Sequence, residues 1–129
     1  MKIILANGAV LNPYTAEGGR RFFQGTDRDC LTFAFPSDAG MEVIDSAFSE
    51  AACESISIFD DEGNEYIHKG YTIRVDLMKK PVEIEPATLD AEAVYENRVL
   101  VTMAQRSYAE NQLKMMQQEL KALLADQGC

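Results

Sequence analysis

The stretch from Ser55 to Leu77 constrains this chain more than any other. Ile56 and Ile58 alternate with serines ahead of an acidic turn, Asp60-Asp61-Glu62-Gly63-Asn64-Glu65. After the turn, Tyr71, Ile73, Val75 and Leu77 alternate with Thr72, Arg74 and Asp76. A period of two sends successive side chains to opposite faces, so both arms read as strands with one buried face. The expectation is a β-hairpin with one wet face, its second arm continuing through Lys79-Lys80 into Val82 and Ile84.

Other segments extend the same theme. Lys2 to Ala6 reads as a first strand, Asn7-Gly8 as a tight hairpin turn, and Val10-Leu11 as the return. Asn12 to Gly19 reads as a loop because Pro13 removes a donor and paired glycines lower the cost of unusual backbone angles. Arg20 to Gln24 is expected to be a short strand, followed by a turn from Gly25 to Asp29. Leu31, Phe33 and Phe35 alternate with Thr32 and Ala34, giving a strand over Cys30 to Phe35 with its aromatic face toward the core. Pro36 closes it. Ile44, Ala47, Phe48 and Ala51 fall at helical spacing, which predicts one short helix across the sheet, capped by Ser37 or Asp38. Glu83 to Ala93, with Pro81 and Pro86 about it, reads as a loop. Val99, Val101 and Met103 mark a last strand from near Tyr95.

The period then changes. From Gln105 onward nearly every residue is a good helix former, with Gly128 placed as a terminator. Ala109, Leu113, Met116, Leu120 and Leu123 recur at alternating steps of four and three, a coiled-coil seam of roughly two and a half heptads. A helix of this length is marginal alone in water and needs either the domain or other copies of itself.

Composition narrows the partners. Asp and Glu outnumber Lys and Arg by 21 to 12, a formal charge of -9 that repels phosphate backbones and anionic lipid. Nucleic acid and membrane are therefore not expected as partners. The opening segment lacks a signal-peptide core, and no window approaches a membrane span, so a soluble, non-secreted product is expected. Cys30, Cys53 and Cys129 are odd in number and form no Cys-x-x-Cys pair, which suggests free thiols in a reducing compartment. Cys30 and Cys53 read as small core residues and Cys129 as exposed.

The chemistry-bearing residues form no strong constellation. The acidic turn offers hard oxygen ligands, but counting back five from Gly63 puts Ile58 where a calcium loop needs its first carboxylate, so a solvated hairpin tip is favoured. His68 is the single histidine, which leaves a transition-metal centre short of ligands, and it reads as a wet or half-buried surface residue. No Gly-x-Ser-x-Gly elbow is present, and Gly18-Gly19 precedes no helix that could make it a phosphate loop. No catalytic residue, cofactor or metal site is expected. The last helix alone carries a functional reading that competes with a structural one. Its apolar residues either pack on the chain's own sheet or form the seam of an intersubunit bundle. The narrowness of the stripe favours the second.

Several segments together carry a family resemblance. Arg28-Asp29-Cys30-Leu31-Thr32-Phe33-Ala34-Phe35, the helix ending in Ala47-Phe48-Ser49, the acidic hairpin leading to Gly70-Tyr71-Thr72-Ile73, and Val99 to Gln105 running into a charged helix resemble small uncharacterised proteins of phages and prophages of Gram-positive bacteria. The resemblance implies a part encoded among tail or baseplate genes, acting by assembly rather than chemistry. It also implies residence in the cytoplasm of the bacterial host or incorporation in a virion.

The reading that follows is an α+β fold: a mostly antiparallel sheet domain over residues 1–104, with one short covering helix, and an amphipathic helix over 105–129. Function is expected to be structural or adaptor-like and non-enzymatic. The contacts are self-association and other phage structural proteins, made through Ala109, Leu113, Met116, Leu120 and Leu123. The alternatives are a small metal-assisted or acid-base enzyme using His68 with the acidic turn, and a transient chaperone or regulatory module.

Overall fold

The computed structural model describes residues 1–127. The expectations for Gly128 and Cys129 lie outside the described residues. The fold is α+β: β1 (Lys2–Leu5), β2 (Val10–Leu11), β3 (Thr15–Phe23), β4 (Thr26–Pro36), α1 (Met41–Ala47), a 3-10 turn (Ala52–Glu54), β5 (Ser55–Phe59), β6 (Glu65–Lys69), β7 (Ile73–Glu85), β8 (Val94–Ala104) and α2 (Tyr108–Gln127). The strands divide into two antiparallel four-stranded sheets, in the orders β2-β1-β5-β6 and β3-β4-β8-β7.

Alternation explains how the sheets meet. Ile3, Leu5, Ile56 and Ile58 project from the first sheet, and Leu31, Phe33, Phe35, Val99, Val101 and Met103 from the second, into one core. Helix α1 covers that core as expected, seating Phe48 at 5.4 Å from the Phe33 ring and edge-on at 5.9 Å from Phe35. Its start differs from expectation: Gly40 caps it with no side-chain bond. The chain has already turned there, with Ala39 N–H donating to the Pro36 carbonyl, so Ser37 and Asp38 are spent ahead of the helix.

The central hairpin forms between Ser55–Phe59 and Glu65–Lys69, in register from Ser55 opposite Lys69 to Phe59 opposite Glu65. Its second arm is shorter than the alternation suggested. Gly70 adopts φ +78°, a left-handed angle that glycine takes without steric penalty, and the chain leaves the first sheet there. β7 then pairs with β8 in the other sheet. The run from Tyr66 to Leu77, which reads as one arm, thus spans two strands of different sheets.

Three loop expectations are also corrected. Residues 15–19 belong to β3, an edge strand, where Gly18 and Gly19 pair with Leu31 and Cys30. Thr26 to Asp29 belongs to β4, the turn being confined to Gln24 and Gly25. β7 continues through Pro81 to Glu85, as the expected extension into Val82 and Ile84 requires, so only 86–93 of the expected loop is loop; proline is tolerated because β7 is also an edge. The helix expected from Gln105 starts at Tyr108.

Candidate functional site

Gln105 to Ser107 leads from β8 into α2, and the helix start is tied to the sheets by charge and capping. The Ser107 hydroxyl accepts from the Glu110 N–H at 3.2 Å, and the Glu110 carboxylate accepts from the Ser107 N–H at 2.9 Å. This reciprocal pair satisfies two donors that a helix otherwise leaves open. The same Glu110 carboxylate pairs with Arg28 of β4, whose side chain is almost entirely buried. Arg28 also donates to the Phe23 carbonyl at 2.8 Å and the Gln105 carbonyl at 3.2 Å. The Arg28 hydrogen bond holds the Glu110 carboxyl down at about 2, well below the usual range.

A second anchor sits beside it. Arg106 grips Glu54 with both terminal guanidinium nitrogens, at 2.9 and 2.7 Å, and donates through Nε to the Asn111 side-chain oxygen at 2.9 Å. Lys114 pairs with the same Glu54 and lies 3.7 Å from Glu50. Bidentate geometry makes the Arg106–Glu54 contact stronger than an ordinary surface pair. The Arg106 bond is also the main reason the Glu54 carboxyl is lowered. Gly70 contributes too: its N–H donates to the Glu54 carbonyl at 3.1 Å, and its carbonyl accepts from the Arg106 N–H at 2.9 Å.

These contacts all use one side of α2. Asn111 and Lys114 face the sheet body, and with Glu50, Glu54, Arg106 and Met115 they line a cleft of about 830 Å³ where the helix leaves it. At roughly 100° per residue, Ala109, Leu113, Met116, Leu120 and Leu123 lie on the opposite side. Ala109 is exposed, as is every described side chain from Met115 to Leu124. Leu113, Met115, Met116, Leu120, Leu123 and Leu124 are each 54% to 63% exposed. The seam therefore does not pack on the chain's own sheet. Glu54, Arg106, Glu110 and Lys114, which hold the helix in place with Arg28, were not among the residues singled out from sequence, and Arg28 figured there only within the resembling segment. The available signal was Ser107-x-x-Glu110, a capping box that spans the first seam residue, Ala109.

The other candidates stay apart. The Asp60 carboxylate accepts from the Glu62 and Asn64 N–H groups, both at 2.9 Å, and from the Asn64 side chain at 3.1 Å. Those bonds lower its pKa, the Asn64 side chain contributing most, and use its oxygens to shape the turn. His68 lies three residues, roughly 10 Å, along β6 from that turn. It pairs with Ile56 and stacks edge-on against Tyr71 at 5.7 Å. Among the described residues no three His, Cys, Asp or Glu side chains converge to hold a metal ion. No described helix is long and apolar enough to cross a membrane. No family model, curated protein or solved structure matches the chain.

Proposed function

We propose that this chain is a non-enzymatic assembly protein whose sheet body carries α2 as a contact helix, and that copies associate through the seam Ala109, Leu113, Met116, Leu120 and Leu123. One observation carries the reading: α2 is locked by ion pairs on one side and leaves its apolar side in water. Scattered exposed leucines are ordinary, but a stripe of this length at heptad spacing marks a surface that another helix covers. The portion beyond Lys114 is too short to persist unaided, which favours a helical partner. The resemblance of the chain to phage and prophage proteins supports tail or baseplate assembly as the setting, in the bacterial cytoplasm or the virion.

Light scattering on the full chain and on a chain ending at Lys114 tests this. The full chain is expected to be oligomeric and the shortened one monomeric and folded. A monomeric full chain at tens of micromolar overturns the proposal.

A further inference from the structure

Granting that α2 pairs with a second copy, we infer that the two helices run parallel and in register, as a two-stranded coil with the sheet bodies on its outer flanks. The seam assigns Leu113 and Leu120 to heptad position a, and Ala109, Met116 and Leu123 to d. Asn111 and Gln118 then take f, the position farthest from a partner helix, and Lys114 takes b. The side that faces the cleft and holds Glu54 is thus the outer side of such a coil. The sheet body covers none of the seam residues, which are exposed from Ala109 to Leu123.

Orientation is decided at the flanking positions. Position e holds Glu110, Gln117 and Leu124, and position g holds Gln112, Glu119 and Asp126. Glu110 is already engaged by Arg28. In a parallel pair each g residue faces the e residue five further along the partner. Gln112 then meets the partner's Gln117, and Glu119 meets the partner's Leu124. No like charges touch, and the glutamate stem covers a leucine. Each seam layer is homotypic, Leu113 on Leu113 and Leu120 on Leu120.

The antiparallel register that overlaps the whole seam sets Leu113 opposite the partner's Leu123 and Met116 opposite the partner's Leu120. Its g residues face g residues, so Glu119 meets Glu119 across the two-fold axis. A chain with a formal charge of -9 would thereby place two carboxylates against each other at the centre of its own contact. Only the parallel arrangement buries the seam without that repulsion.

Thiol cross-linking in a Cys129→Ser background tests the orientation. Leu113→Cys alone is expected to give a covalent dimer under mild oxidation. Absence of that dimer, with efficient cross-linking only in the Leu113→Cys, Leu123→Cys double variant, establishes the antiparallel pair and overturns the inference while leaving self-association intact. A monomeric mass for the uncross-linked chain overturns both. A charge variant, Gln112→Glu with Gln117→Lys, gives a second reading without cysteine. It creates two g–e ion pairs in the parallel coil and is expected to tighten association about threefold. In the antiparallel coil it sets the introduced lysines of the two copies against each other, and weaker association overturns the inference.

Discussion

Arg28 of β4 and Glu110 of α2 lie 82 residues apart in the chain and meet as an ion pair whose arginine is buried and whose glutamate also caps the helix. One contact therefore joins the sheet to the helix and completes the helix start. Removing one member of a buried pair leaves the other charge without compensation. Arg28→Ala also strips a donor from the Phe23 and Gln105 carbonyls. Glu110 is 38% exposed and stays partly solvated, so the expected loss is about 2 kcal/mol, read as a lower urea midpoint with an unchanged slope. Arg28→Lys keeps the charge but not the fork that reaches both carbonyls, so it is expected to recover less than half of that loss.

The same pair sets an acid limit. Glu110 is held down at about 2, chiefly by the Arg28 hydrogen bond, and Glu54 is lowered, chiefly by Arg106. An unfolded glutamate titrates at about 4.3. Because the folded state binds these protons less tightly, the stabilisation is present in full above the unfolded value and is lost as pH falls toward the folded one. Thermal midpoints taken from pH 7 to pH 2 are expected to drop most steeply below about pH 4.5. Glu110→Gln should start lower at neutral pH, fall less steeply, and meet the parent curve near pH 2. A parallel fall of the two curves would remove Glu110 from the account.

Gly70 is where the chain passes from one sheet to the other, at φ +78°. A Cβ there finds space, its nearest neighbour being the Arg106 guanidinium at 3.8 Å, so the cost of a side chain is conformational. Gly70→Ala is expected to destabilise by about 1–2 kcal/mol. Chemical denaturation measures it, and a neutral result would mean the strand junction relaxes without penalty.

Cys30 and Cys53 are both buried, and burial pushes the Cys53 thiol up to about 11 and raises that of Cys30. A thiol that is both protonated and covered is a poor nucleophile. Iodoacetamide at pH 8 is expected to leave both unmodified in the folded chain and to label both in urea, as peptide mapping by mass spectrometry would show.

Sequence periodicity reported the core well and the joints poorly. Leu31, Phe33, Phe35, Val99, Val101 and Met103 lie where their alternation put them, because burial favours an apolar side chain whatever its sequence neighbours do. The break at Gly70 left no trace in that pattern, since Tyr71 and Ile73 keep the same parity after the chain has changed sheets. β3 was hidden by Gly18 and Gly19, residues that read as loop yet sit on an edge strand that needs few packed side chains. Burial of Arg28 was concealed by its setting, Gly-Thr-Asp-Arg-Asp, which reads as a turn. Its parity with Cys30 on β4 was the only sign that it faces away from water. The seam of α2 was legible because heptads are local; the ion pairs that orient it join segments far apart in the chain.

Those ion pairs also divide α2 into a part that belongs to the fold and a part that does not. A chain ending at Lys114 keeps the Ser107–Glu110 cap, the Arg28 pair and the Lys114–Glu54 pair. A chain ending at Ser107 loses all three and leaves Arg28 buried without its carboxylate. The first is expected to unfold within a few degrees of the full chain, measured at a concentration low enough to separate copies. The second is expected to fall by about 3 kcal/mol, because the buried Arg28 cation is left without its carboxylate. Equal losses in the two truncations would place structural weight on Met115 to Leu124, and the exposed seam would then belong to the core of the chain rather than to its contacts.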